Sequence, residues 1–193
     1  MYDSEPTRYR GVRFDSKLEV RWARLFDALE VAYVYHPPHT HQWEPPGGGP
    51  VVHYTPDFWL PASDQFLEAK PFDPAEDSDS PRWSSEVAAA LRKAQAVATN
   101  ARFQGGTFGA VTLAPSTVPP ITFLGPSGQL RALDRHGAFV DAVALYRCAT
   151  CGGGYVDLLP EAHAATACPC CRAVVTPGGR DVLRPPLELP TAV

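Results

Sequence analysis

The chain has no run approaching 18 apolar residues, and its first six residues, Met1-Tyr-Asp-Ser-Glu-Pro6, carry neither a basic start nor an apolar stretch. A membrane helix and a secretory leader are therefore not expected, and the cytoplasm is the predicted location. Positive charge is not in excess either. Against 17 Lys plus Arg stand 21 Asp plus Glu, a formal net charge of −4, which argues against a protein that coats nucleic acid through a uniformly basic surface. Lysine itself is scarce, three residues against 14 arginines. Cysteines number five, an odd count, and cytosolic thiols stay reduced, so ligands or reactive groups are expected in place of disulfides. There is no internal repeat. What the chain has in quantity is proline and glycine, 21 and 15 of 193 residues, which predict long loops. Hydrophobic residues at 45% and charged residues at 20% suffice for one core of ordinary size with a compact appendage, but not for a large multidomain enzyme.

Leu18, Val20, Trp22, Leu25, Phe26 and Leu29 recur at helical spacing and predict an amphipathic helix over 16–29. Ser16 with Glu19 three residues on is a capping-box pattern. Val31 to Tyr35 reads as a strand, and the Pro- and Gly-rich stretch 36–50 as a loop without regular structure. Val51 to Leu60 and Gln65 to Lys70 read as a hairpin closed by Pro61-Ala-Ser-Asp64, in a register that sets Leu60 against Gln65, Phe58 against Leu67 and Asp57 against Glu68. An acidic loop over 71–85, a helix over 85–99, strands over 107–113 and 121–124, and a short helix over 138–145 complete the first domain. A boundary near Tyr146 divides a domain of residues 1–146 from a second of 147–193.

The second domain carries the most specific pattern in the chain. Cys148-x2-Cys151, sixteen intervening residues and Cys168-x2-Cys171 have the spacing of a four-thiolate zinc site, two knuckles each giving a pair to a tetrahedron. Cys170 is left over, since neither it nor His163 preserves the paired spacing. Some 45 residues build little core of their own, so zinc is expected to hold this ribbon together. A closed four-thiolate site has no open position and is structural.

In the hairpin, Glu68 and Lys70 lie two apart on one face, and the register places Asp57 opposite Glu68. Like charges directly opposite are destabilising unless compensated, and a divalent cation compensates them. Carboxylates, waters and phosphate oxygens are the ligand set of Mg2+. Lys70 beside them is suited to orient an attacking water or to stabilise charge on a phosphate, and Glu19 is expected to complete the Mg2+ shell as a further carboxylate from the helix. Lysine, unlike arginine, can share or lose its proton, which gives its use here, in an arginine-rich chain, some meaning.

Tyr9-Arg-Gly-Val-Arg-Phe-Asp-Ser-Lys-Leu-Glu19, Thr55-Pro-Asp57 and Leu67-Glu-Ala-Lys70, in the order helix, strand, strand hairpin, helix, strand, resemble the PD-(D/E)xK nuclease superfamily over roughly residues 9 to 113. The resemblance implies an α/β, restriction-endonuclease-like mixed sheet flanked by helices, and Mg2+-dependent (or Mn2+-dependent) hydrolysis of DNA phosphodiester bonds. It assigns Asp57 and Glu68 to the metal, Glu19 to the helical glutamate and Lys70 to the lysine, with Lys93 or Gln95 in the region of an assisting polar residue.

DNA is thus the expected partner, with a protein on the zinc ribbon as an alternative; a homodimer is compatible with the chain, but no motif marks an interface. The histidines at 36, 39 and 41 lack a companion carboxylate or cysteine and read as loop residues, though a metallohydrolase built on them is a further alternative. Arg10 and Arg13, with Tyr9, are candidates for phosphate contacts, whereas Trp22 and Phe26 read as core. The rival from another class is a non-catalytic adaptor in which the ribbon binds DNA or protein. From 36 to 70 the balance is four acids to one base, so binding of DNA without metal is expected to be weak.

Overall fold

A computed structural model describes residues 5–38, 41–43, 49–73, 121–133, 139–140, 143–158, 166–168 and 188–190, with shorter stretches within 85–92 and 171–183. The chain opens with a two-stranded antiparallel ribbon, β1 (Thr7–Tyr9) and β2 (Val12–Phe14). Arg10 and Gly11 turn it at positive φ, 49° and 81°, the handedness that suits the twist of paired strands. Helix α1 (Lys17–Ala28) follows, and Ser16 caps it as predicted: in extended conformation, its hydroxyl accepts a hydrogen bond from the Glu19 amide at 3.1 Å. The buried stripe of α1 includes Val20, Trp22, Ala23, Leu25 and Phe26. Trp22 and Phe26 are core residues, their ring centroids 5.9 Å apart, and the Trp22 indole donates to the Gly125 carbonyl at 3.2 Å.

The main sheet takes β3 (Val34–Tyr35), β6 (Phe58–Leu60), β7 (Gln65–Ala69), β8 (Ile121–Leu124), β9 (Leu130–Leu133) and β10 (Phe139–Val140) in the spatial order β10-β9-β8-β7-β6-β3. β7 and β8 are parallel and every other pairing is antiparallel, so the sheet is mixed and the fold α/β. The hairpin register is the expected one, Leu60 opposite Gln65 and Phe58 opposite Leu67. A parallel pair demands a crossover connection, and residues 70–120 separate β7 from β8 in the chain. Phe14, Trp22, Phe26, Phe58, Leu67 and Leu124 form the centre of the core between α1 and the sheet.

β4 (His41–Trp43) and β5 (Val52–Tyr54) pair as a separate ribbon, so the stretch predicted as a wholly irregular loop contains a strand. The long strand expected over 51–60 is correspondingly two, because Pro56 cannot donate to a ladder and breaks the run between β5 and β6. The short helix expected over 138–145 is also corrected: β10 ends at Val140, and β11 (Val143–Cys148) begins three residues later. Ala144, Leu145 and Tyr146 are all buried, so no alternation marks this strand in the sequence. Of the helix predicted over 85–99, the described residues 85, 86, 88, 89 and 92 are helical. Lys93, Gln95 and the strand predicted over 107–113 lie outside the described residues, as do His39, His163 and Cys170.

β11 pairs with β12 (Gly154–Leu158) on one side and β15 (Arg180–Leu183) on the other, and β13 (Thr166–Ala167) pairs with β14 (Val174–Val175). The boundary expected near Tyr146 thus falls inside β11. This region also packs on the first. Leu145 and Leu189 belong to the same core cluster as Trp22 and Phe58, Ser63 donates to the Gly154 carbonyl at 3.2 Å, and Arg147 pairs with Glu30 at 2.5 Å. No helix among the described residues is long and apolar enough to cross a membrane.

Candidate active site and metal centre

Cys148 ends β11, Cys151 lies in the turn after it, and Cys168 and Cys171 come from the second knuckle around β13. Their four sulfurs lie within 4.8 Å of one another, with Cys148 Sγ 3.8 Å from Cys171 Sγ and Cys151 Sγ 3.9 Å from Cys168 Sγ. The donor set and its closeness fit zinc. Gly152, at φ 69°, lets the chain fold back so that its amide reaches the Cys148 carbonyl at 2.8 Å. Burial pushes the Cys148 thiol up, but the backbone amides of Cys151 and Thr150 and the neighbouring thiols outweigh it and bring it to about 6. Cys151, where burial prevails, is raised. A thiolate already favoured at Cys148 is the form that binds metal.

The carboxylates meet where α1 begins and the β6–β7 hairpin opens. Glu68, 1% exposed, accepts from the Tyr54 hydroxyl at 2.5 Å through Oε2 and from Lys70 Nζ at 2.6 Å through Oε1. Lys70, placed just past β7, fixes its backbone by donating its amide to the Leu124 carbonyl at 2.9 Å, and its side chain is 18% exposed. Asp57 precedes β6. Its carbonyl accepts from the His36 amide at 2.9 Å and its Oδ2 from the Ala69 amide at 2.8 Å, which ties it across the hairpin to the residue beside Glu68.

Glu19 lies in the first turn of α1 and is buried. Oε1 accepts from the Ser16 hydroxyl at 2.6 Å, and Oε2 from the Tyr35 hydroxyl at 2.6 Å and the Asp15 amide at 3.0 Å. The carboxylate does reach back as a capping box predicts, but to the amide one residue before the cap.

Burial raises the Asp57 carboxyl well above the usual aspartate range; the charges of Glu68 and then Glu19 push it further, while Lys70 and the Ala69 amide oppose. Asp57, Glu68 and Glu19 are thus one electrostatic cluster with Lys70 as its cation. Burial and Glu68 likewise raise the Tyr54 hydroxyl, and burial with the Glu19 hydrogen bond raises that of Tyr35, so both stay neutral donors. Among the described residues the four cysteines are the one group of three or more His, Cys, Asp or Glu placed to share an ion. A cation at the carboxylates would therefore rest on Asp57 and Glu68, with water and substrate oxygens completing its shell, as Mg2+ accepts.

Tyr54 and Tyr35 escaped the sequence reading. Nothing local links Tyr54 to Glu68, fourteen residues on, before β5 and β7 are placed. His36 is described; it stacks on Tyr35 at 4.1 Å, with Nε2 3.6 Å from Asp15 Oδ2, and joins no ligand cluster. A groove of about 440 Å3 lies beneath the β1–β2 ribbon, lined by Tyr9, Val12, Asp27 and Tyr33 among others, and none of the four candidate catalytic residues lines it. Compared with family models, with curated proteins and with solved structures, the chain matches none.

Proposed function

We infer that the chain is a Mg2+-dependent deoxyribonuclease of the PD-(D/E)xK type with a structural zinc ribbon at its C-terminal side. One observation carries this reading: Asp57, Glu68 and Lys70 come together on one hairpin, with Lys70 Nζ on Glu68 and the Asp57 carboxylate tied to the Ala69 amide between them, and with burial and the charge of Glu68 raising the Asp57 pKa. The order α1, β3, the β6–β7 hairpin and β8 in a mixed sheet supports it, because a helix, a strand, a strand hairpin and a later strand in such a sheet are what the resemblance implies.

In this reading Asp57 and Glu68 hold the cation, and Glu19 adds negative charge behind them. When bound, the cation supplies charge neutralisation on the phosphate and a more acidic water. Lys70, held by Glu68, points its ammonium toward the same place and orients the attacking water. The water oxygen bonds to phosphorus as the bridging P–O bond breaks, its proton passes to solvent, and the leaving oxygen takes a proton from solvent. Tyr54 keeps Glu68 in its rotamer by a hydrogen bond that cannot ionise near neutrality.

A second reading, the non-catalytic adaptor, is favoured by the saturation of Glu19, whose two oxygens are occupied by Ser16, Tyr35 and Asp15. Plasmid cleavage in Mg2+ separates the two. Parent protein should nick or linearise DNA while Asp57→Ala and Lys70→Ala, both folded by circular dichroism, fall by at least about a hundredfold, the scale of losing an electrostatic catalytic group. Equal cleavage by parent and variants refutes the assignment.

A further inference from the structure

We propose that the β1–β2 ribbon is a DNA-backbone clamp, in which Arg8 and Arg13 grip phosphates of duplex DNA beside the carboxylate cluster. This deepens the nuclease reading and rests on it. The ribbon alternates with period two. Thr7, Tyr9, Val12 and Phe14 form cross-strand pairs on one face, where Phe14 enters the core and Tyr9 donates to Asp27 at 2.8 Å. Arg8 and Arg13 form the cross-strand pair on the other face, and both are exposed.

Two guanidiniums directly opposite one another on a two-stranded ribbon repel, which is a cost unless an anion lies between or above them. The neighbouring cations are already answered: Arg10 lies 3.1 Å from Asp27, and Lys17 2.7 Å from Glu5. Among the described residues Arg8 and Arg13 have no such partner. From 7 to 17 the chain holds four cations and one carboxylate, in a protein whose net charge is −4. The positive charge is local, and local charge of this kind suits a regular array of phosphates.

The ribbon is also held at a fixed place relative to the chemistry. Three residues past Phe14 the chain enters α1, and the Asp15 amide between them donates both to Glu19 at 3.0 Å and to the Tyr35 hydroxyl at 2.9 Å. The Phe14 ring lies 4.2 Å from the Tyr35 ring, which itself donates to Glu19. A two-stranded ribbon is narrow enough to enter a major groove, and arginines on its outer face contact phosphates without reading bases. The clamp is therefore expected to set position and affinity, with no sequence preference of its own.

The test is binding of the zinc-loaded protein to a fluorescent 20-base-pair DNA duplex, followed by anisotropy across a salt series without added Mg2+. Replacing both arginines (Arg8→Ala with Arg13→Ala) should weaken binding and lower the slope of log affinity against log salt by about 1.8, or roughly 0.9 for each phosphate released. Arg8→Lys with Arg13→Lys should restore most of that slope, showing that charge and not folding was removed. An unchanged slope in the alanine protein, no binding of the duplex by the parent, or tighter arginine-dependent binding of an equal RNA duplex overturns the proposal. Arginine-dependent DNA binding by a parent that cleaves nothing in Mg2+ would leave the clamp standing and remove the nuclease reading.

Discussion

Asp57 shows how a single carboxyl reports on its surroundings. Its folded pKa is raised, by burial first and then by Glu68 and Glu19, so the folded state binds its proton more tightly than the unfolded chain does. The stability contributed by that proton is full below the ordinary aspartate range and is lost as pH rises through the folded value. Two results are expected. Without added metal, Asp57→Asn should melt higher than the parent at neutral pH, and its melting temperature should vary less between pH 4 and 8. Mn2+ or Mg2+, which needs the ionised form, should bind the parent more tightly as pH rises and release protons on binding, measurable by calorimetry in buffers of different ionisation heat. If the melting curves of parent and variant stay parallel across that range, the crowding of the three carboxylates is not felt. The nearness of Asp57 to Glu68 and Lys70 was readable from the sequence because the short loop at 61–64 fixes the hairpin register that brings the two strands together. The places of Tyr54 and Tyr35 were not, since their hydroxyls meet Glu68 and Glu19 only through tertiary placement.

At the scale of elements, α1 and the β6–β7 hairpin were legible because each carries a local signal: a cap with a 3.6-residue stripe, and a turn with β-rich flanks. β11 was not. A strand buried on both faces has no alternation, and the alanines of Ala138 to Leu145 read as helix until β12 and β15 pair on either side. The β1–β2 ribbon was missed because three-residue strands are too short for periodicity, although Arg10-Gly11 is a usable turn. β12 makes a separate prediction. A Cβ placed on Gly154 would overlap the Val31 side chain, which is β-branched and buried, so it has no free rotamer to retreat into. Gly154→Ala should therefore cost about 1–3 kcal/mol by the usual penalty of overpacking, read as a shift in the urea midpoint. A midpoint within error of the parent would mean that β12 and the Val31 corner are not in contact in solution.

In the whole molecule, the cysteine cluster and the carboxylate cluster are tied to one core. β11 carries Cys148 at its end and Leu145 within that core, so loss of metal from the thiols should be felt across the sheet. Removing zinc with a chelator, or Cys168→Ser with no zinc bound, should lower the melting temperature and broaden the transition. Restored zinc should reverse the chelator effect but not that of the substitution. A metal-free protein that melts with the parent would make the four thiols bystanders. The spacing of the cysteines was readable as a metal site, but its attachment to the core was not, because a boundary drawn from a change in composition takes no account of a strand that runs across it.

Leu189 lies in the core cluster, and the Pro190 carbonyl accepts from Arg21 Nε at 3.0 Å, a contact spanning 169 residues of chain. During synthesis α1 leaves the ribosome well before Leu189 and Pro190, so the cluster that holds Trp22 and Phe26 lacks one of its members until that far downstream segment has emerged. Completion of the core thus waits on distant chain, and the interval before it is when a nascent chain is most open to aggregation or to a chaperone.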